Sequence, residues 1–133
     1  DRGDHLLLKA SWTKGGKARM IPILTPAQRE LLTRVHQLAG RGSLIPLDRD
    51  YRQQLRVYER HTANAGLARM HGLRHAYAQE RYATLTGRLA PAAGGPAVAT
   101  LPLAERQRDQ QVRAQISREL GHERVQILSV YLS

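Results

Sequence analysis

The chain has 133 residues, enough for one domain with a buried core and too few for two. It carries 21 Lys and Arg against 11 Asp and Glu, a formal charge of +10, and no cysteine. The charge points to a polyanionic partner, nucleic acid ahead of a membrane surface. The missing thiols exclude disulfides, thiolate zinc sites, iron–sulfur clusters and a cysteine nucleophile. No apolar run approaches a bilayer span and the N-terminus lacks the pattern of a secretion signal, so a soluble cytoplasmic protein is expected. Only Lys9, Lys14 and Lys17 are lysine, all in one short stretch, and the other 18 cations are arginine. The chain begins at Asp1 without an initiator Met and reads as a piece of something longer.

Residues 5–23 hold two β-prone runs around Gly15-Gly16, a dipeptide suited to a two-residue turn with positive φ, and predict a β-hairpin. That turn would set Lys14 opposite Lys17, Trp12 opposite Arg19, Ala10 opposite Ile21 and Leu8 opposite Ile23. Thr25-Pro26 followed by Gln28 reads as an N-cap, a first-turn proline and a capping-box partner. Leu31, Leu32, Val35 and Leu38 then recur at helical spacing toward Gly40. A second helix is expected from Asp48 as N-cap through Tyr51, Leu55 and Tyr58 toward Asn64 and Gly66. A third starts near His71, carries Leu73, Tyr77 and Tyr82, and stops at Gly87. Residues 89–102, with three prolines and two glycines and no periodic face, predict an exposed, mobile loop. From Leu103 a charged helix with Val112, Ile116 and Leu120 on one side runs to Gly121, and a short last helix carries Val125, Ile127 or Leu128, and Tyr131. The fold class is mainly α with a small antiparallel sheet.

Three pieces of this chain carry chemistry. In His71-Gly-Leu-Arg74-His75, a helical geometry sets His71 beside Arg74 at a helix N-terminus, where free amides and a guanidinium fork both favour phosphate. His71 and His75 would also make one edge of a zinc site, but no HExxH glutamate or third ligand follows, and His75 reads as a packing residue. The second piece is Leu120-Gly121-His122 with Tyr131 nine residues after the histidine. An unbroken helix would put His122 and Tyr131 on opposite faces, and the break at Gly121 removes that objection. The third is Lys14 and Lys17, like charges whose juxtaposition on adjacent strands is costly without solvent or an anion between them.

Taken in order, TKGGKAR, HGLRHAYA and LGHERVQILSVYL make the chain resemble the tyrosine recombinases, the phage-type integrases, over nearly its whole length. The resemblance implies a partial catalytic domain over residues 1–133, in a mainly helical fold with a small sheet. Its chemistry breaks and rejoins double-stranded DNA through a 3′-phosphotyrosine, using no metal and no cofactor. Tyr131 matches the nucleophile, Lys14 the general acid that protonates the departing 5′-hydroxyl, and Arg74 the second catalytic arginine. His71 matches the histidine implicated in accepting the tyrosine proton, and His122 one that hydrogen-bonds the phosphate. Lys17, Arg19, Arg106, Arg108 and Arg113 are further candidates for DNA contact. Family members act as tetramers on paired sites, and a cytoplasmic, nucleoid-associated location follows.

The physical logic fits those roles. Charge builds on the equatorial oxygens of an attacked phosphodiester, so each fixed cationic donor is worth roughly a hundredfold or more in rate. A phenol ionises near pH 10 and needs a base and a positive field near neutrality. A lysine whose pKa is lowered by cationic neighbours can protonate the leaving alkoxide.

The family's first catalytic arginine precedes the hairpin, and here nothing before His5 except Arg2 stands in that place. The expectation is an N-terminally truncated domain, inactive alone. The stretch from Arg74 to His122 is longer than in the family, which reads as an insertion containing 89–102. Two other readings compete: a type IB topoisomerase-like relaxing enzyme with the same side chains, and a noncatalytic basic DNA-binding module. Retention of Lys14, His71, Arg74, His122 and Tyr131 together argues against the module. An RNA-binding role fits the charge but not the aromatics, which read as helical core.

Overall fold

The computed structural model of the chain describes residues 1–13, 15–68, 70–122 and 124–133. It is mainly helical with one two-stranded antiparallel sheet. No described helix is long and apolar enough to cross a membrane. Contacts divide the chain into two compact units, residues 1–6 with 22–69 and residues 7–21 with 70–133.

The hairpin forms with a different register from the expected one. Strand β1 is His5–Leu8 and strand β2 is Arg19–Pro22, and the Ile23 N–H donates to the Asp4 carbonyl at 2.8 Å. Leu8 therefore lies opposite Arg19, not Ile23. Residues 9–13 and 15–18 do not continue the strands, because Ala10–Trp12 turns as a 3-10 helix and the Thr13 hydroxyl closes the loop. That hydroxyl donates to the Lys17 carbonyl at 2.7 Å and accepts the Lys17 N–H at 3.1 Å. Gly15 and Gly16 do adopt positive φ, 90° and 64°. Trp12 is exposed beneath the Lys9 ammonium, 5.0 Å from its ring centroid. Lys14, and with it the expected pairing against Lys17, lies outside the described residues.

In the first unit, helix α1 (Pro26–Ala39) starts at the expected capping box of Thr25 and Gln28, with proline in its first turn. Helix α2 (Tyr51–Asn64) starts two residues later than expected, capped by Asp50 instead of Asp48. The reason is reciprocity: Asp50 accepts the Gln53 N–H at 2.8 Å while the Gln53 side chain accepts the Asp50 N–H at 2.8 Å. Asp48 has Tyr51 at that spacing and no such return bond. Neither helix contains a buried residue, and Leu38, on the expected apolar face, is 82% exposed.

The second unit holds the core. Helix α3 (Gly72–Thr86) ends at Gly87 and helix α4 (Leu103–Leu120) at Gly121, both in the left-handed region that favours glycine. Ala78 and Tyr82 of α3 pack with Ala90, with Val112, Ile116 and Leu120 of α4, and with Leu128, Tyr131 and Leu132. A 3-10 turn, Val125–Leu128, leads into the short helix α5, Ser129–Leu132, and places Leu128 inside and Ile127 outside. Residues 89–102 are mostly exposed, as expected, but fold back as two 3-10 turns that bury Ala90 and Leu101. Gly95 is what permits this, since a Cβ there would stand 1.9 Å from the Leu89 carbonyl oxygen.

Two buried ionic clusters fix α3 against α4. Arg81 donates from Nε to both Glu119 oxygens and from Nη2 to Oε1, and the carboxylate also accepts from Tyr77 at 2.7 Å and Gln115 at 3.0 Å. Asp109 accepts from Tyr82 at 2.6 Å and from Arg113 Nε at 2.8 Å, with Arg88 3.8 Å away. Burial alone would raise the Glu119 carboxyl, but bonds from Arg81, Tyr77 and Gln115 and the Arg81 charge outweigh it and hold it below the usual carboxylate range. The folded-state pKa is thus depressed, so the stabilisation is complete above the unfolded carboxylate's pKa, about 4.3, and drains as acid reaches the lower folded value. Truncating one partner strands the other charge. Arg81→Met is therefore expected to cost about 3–5 kcal/mol in urea unfolding at neutral pH, and Arg81→Met with Glu119→Leu to recover most of it.

Candidate functional site

The site begins at the C-terminus of α4, where the last carbonyls have no helical amide to accept. Two are taken by the turn itself: the His122 N–H donates to Ser117 at 2.9 Å and the Gly121 N–H to Arg118 at 3.1 Å. The Leu120 carbonyl is taken by side chains. Arg19 Nη1 donates to it at 2.6 Å and Arg74 Nη2 at 2.8 Å. Two cations at the negative end of a helix dipole are well placed. Gly121 makes the approach possible, because at φ 74° its missing Cβ would stand 1.7 Å from Arg19 Nη1.

Arg74 is thereby aimed at His122, with Nη2 3.5 Å from the imidazole Nε2. Burial first, then the charges of Arg74, Arg19 and His71, push the His122 imidazole below its ordinary 6.5. Near neutral pH it is uncharged and keeps one N–H to donate.

Tyr131 completes the group. Its residue is 3% exposed, and three imidazoles surround its ring, with centroids at 4.5 Å for His75, 5.4 Å for His122 and 6.0 Å for His71. The phenol oxygen lies 3.4 Å from His71 Nε2, and Gln79 donates to the Tyr131 carbonyl at 3.2 Å, which anchors α5 to α3. His71, Arg74, His122 and Tyr131, singled out from sequence, are thus brought together. His75 is not an inert packing residue, since it faces the Tyr131 ring and makes an edge contact with His71 at 5.7 Å. Among the described residues, no group of three or more His, Asp or Glu is placed to hold a metal ion.

The remaining candidates fall elsewhere. Lys14 lies outside the described residues. Lys17 is exposed beside an open groove of about 610 Å³ that it lines with Arg19, Arg118, Glu119 and His122. Arg106 is exposed, and Arg108 is exposed with its guanidinium on the Leu85 carbonyl at 3.2 Å. Arg113 departs from its expected place on a DNA-facing surface: its guanidinium turns inward to Asp109 and over the Tyr82 ring, leaving the side chain 12% exposed. Sequence reasoning missed the Glu119 cluster and the Leu120 carbonyl. The available signal was the seven-residue spacing of Arg74 and Arg81, which places both on one face of α3.

Two measurements check this geometry. The His122 ring should titrate below 6.5 by NMR. With its folded pKa depressed, stability is full above pH 6.5 and declines as pH falls below it, because the unfolded chain then binds more protons. Gly121→Ala should cost about 1–2 kcal/mol from the left-handed backbone alone, plus whatever displacing Arg19 adds, read by thermal unfolding.

Comparison with known proteins gives one match. A family model described as integrase covers residues 2–80, a span holding the hairpin, α1, α2, His71 and Arg74 but not His122 or Tyr131. Searches of curated proteins and of solved structures returned no match. The matched span is more than half of the chain, and with it come DNA binding and a role in DNA integration or recombination: this protein belongs to the integrase family.

Proposed function

We propose that this chain is the catalytic part of a tyrosine-type DNA recombinase, which cuts and rejoins double-stranded DNA through a 3′-phosphotyrosine to integrate or excise a mobile element. The observation that carries the reading is the gathering of His71, Arg74, His122 and Tyr131 at the end of α4, with the phenol oxygen 3.4 Å from an imidazole nitrogen. In this reading the Tyr131 oxygen attacks the scissile phosphorus and its proton passes to His71 Nε2. The bond from phosphorus to the 5′-oxygen breaks, and that oxygen takes a proton, the role read for Lys14. Attack by a 5′-hydroxyl of another strand reverses the step and reseals the backbone.

The cationic surroundings suit this chemistry. Arg74 spends one N–H on the Leu120 carbonyl and retains others for the non-bridging oxygens of a phosphate. Neutral His122 adds a donor without adding charge to a site already holding two guanidinium groups. Positioned donors of this kind lower the barrier most where negative charge develops. Double-stranded DNA is the partner, the active assembly is a tetramer on paired sites, and no cofactor takes part. Fold and location follow the same reading: a tyrosine-recombinase catalytic domain acting at the nucleoid.

The test joins this chain to an N-terminal segment that supplies the family's first catalytic arginine and uses duplex DNA nicked near a recombination site, so that the released end diffuses away and the covalent complex accumulates on a denaturing gel. Tyr131→Phe should abolish the adduct while leaving DNA affinity within about twofold, and Arg74→Ala should slow it by roughly a hundredfold or more. An adduct that persists in Tyr131→Phe would refute the reading. DNA affinity should also fall steeply with salt, since phosphate contacts release counterions.

A further inference from the structure

We infer that Arg19 is a positioning residue of the site: by holding the Leu120 carbonyl jointly with Arg74, it sets where Arg74 and His122 stand. Its role toward DNA rests on the recombinase reading above, whereas its effect on His122 does not.

A carbonyl oxygen has two lone pairs, and the two guanidinium groups at 2.6 Å and 2.8 Å use both. Arg74 comes from α3 and Arg19 from the first residue of β2, so one acceptor joins the hairpin, α3 and α4. The Arg19 guanidinium fills the space that any side chain at residue 121 would occupy. Its Nε is buried without a hydrogen-bond partner, so its placement depends on the Leu120 bond and the fit against Gly121. A cation installed only for solubility would not be threaded under a glycine with one N–H unsatisfied.

Removing Arg19 would leave the carbonyl with one donor and the α4 terminus free to drift relative to Arg74. His122 follows Gly121 directly and would drift with it. Misplacement on the scale of 1 Å is enough to cost roughly a hundredfold in rate. The groups facing His122 are Arg74 and His71 near α3's start, Arg19 from β2 and the Tyr131 ring from α5, with Lys17, Arg118 and Glu119 lining the adjoining groove.

The experiment compares Arg19→Met and Arg19→Lys with the parent protein in three readouts: adduct rate at saturating nicked duplex, DNA affinity against salt, and the NMR titration of His122. Arg19→Met should lower the saturating rate by roughly 10–100-fold while affinity and its salt slope stay unchanged, and His122 should titrate higher. Arg19→Lys, which keeps the charge but not the fork, should restore the His122 titration and part of the rate. Gly121→Ala, which displaces the guanidinium without removing it, should reproduce the rate loss if Arg19→Met fails to fold. Loss confined to DNA affinity, with the salt slope falling by about one, would overturn the inference in favour of a direct phosphate contact. An unchanged rate with an unchanged His122 titration would overturn it in favour of simple packing. If the parent protein, extended to carry the first catalytic arginine, forms no adduct, the recombinase reading fails, and the His122 titration in Arg19→Met still decides whether Arg19 orders the site.

Discussion

A carbonyl at the end of a helix accepts whatever the surroundings bring to it, and at Leu120 they bring two arginines. That shared acceptor is the constraint on which the site depends. It fixes the direction of Arg74, draws Arg19 across Gly121, and sets His122 two residues beyond the helix, beside both charges. The electrostatics follow from the same geometry. Partial burial and the packed guanidinium groups push the imidazole toward its neutral form, so it does not add to the repulsion between cations. Tyr131 completes the group, its ring enclosed by three imidazoles and its phenol oxygen 3.4 Å from His71 Nε2, the arrangement on which the proposed nucleophile role rests.

That arrangement needs α3 and α4 to hold their register, and apolar packing alone does not specify it to a residue. Glu119 does, because it sits immediately before Leu120 and is bound by Arg81, one face and two turns along α3 from Arg74. The Tyr77 phenol, raised by burial and by Glu119, stays protonated and donates to the same carboxylate. The Asp109 cluster fixes the other end of the helix pair through Tyr82, Arg88 and Arg113. Sliding α4 by one residue would leave two carboxylates buried and unpaired. We regard these clusters as register devices more than as sources of net stability.

Local signals in the sequence were read correctly where chemistry is local. The Thr25–Gln28 capping box, the glycine stops at Gly87 and Gly121, and the apolar stripe of Val112, Ile116 and Leu120 stand where the spacing put them. The hairpin register was not legible, because it is decided by a side chain, the Thr13 hydroxyl bridging Lys17, and not by the glycine pair. At 89–102 composition was a fair guide to exposure but did not report the tight fold-back that Pro and Gly serve there. Arginine count misled at Arg113, since a guanidinium four residues from a buried aspartate turns inward. In the candidate site, identity and spacing located four residues. Nothing in a sequence reports that a backbone carbonyl would hold two of its cations, or that His75 would face the tyrosine ring.

The most direct test of the account is a crystal structure of the protein with nicked duplex DNA and vanadate, which adopts the five-coordinate geometry of phosphoryl transfer. The account predicts vanadium between the Tyr131 oxygen and a DNA oxygen, with Arg74 and His122 on the equatorial oxygens and Arg19 still on the Leu120 carbonyl. Vanadate bound away from Tyr131, or held without Arg74 and His122, would contradict it.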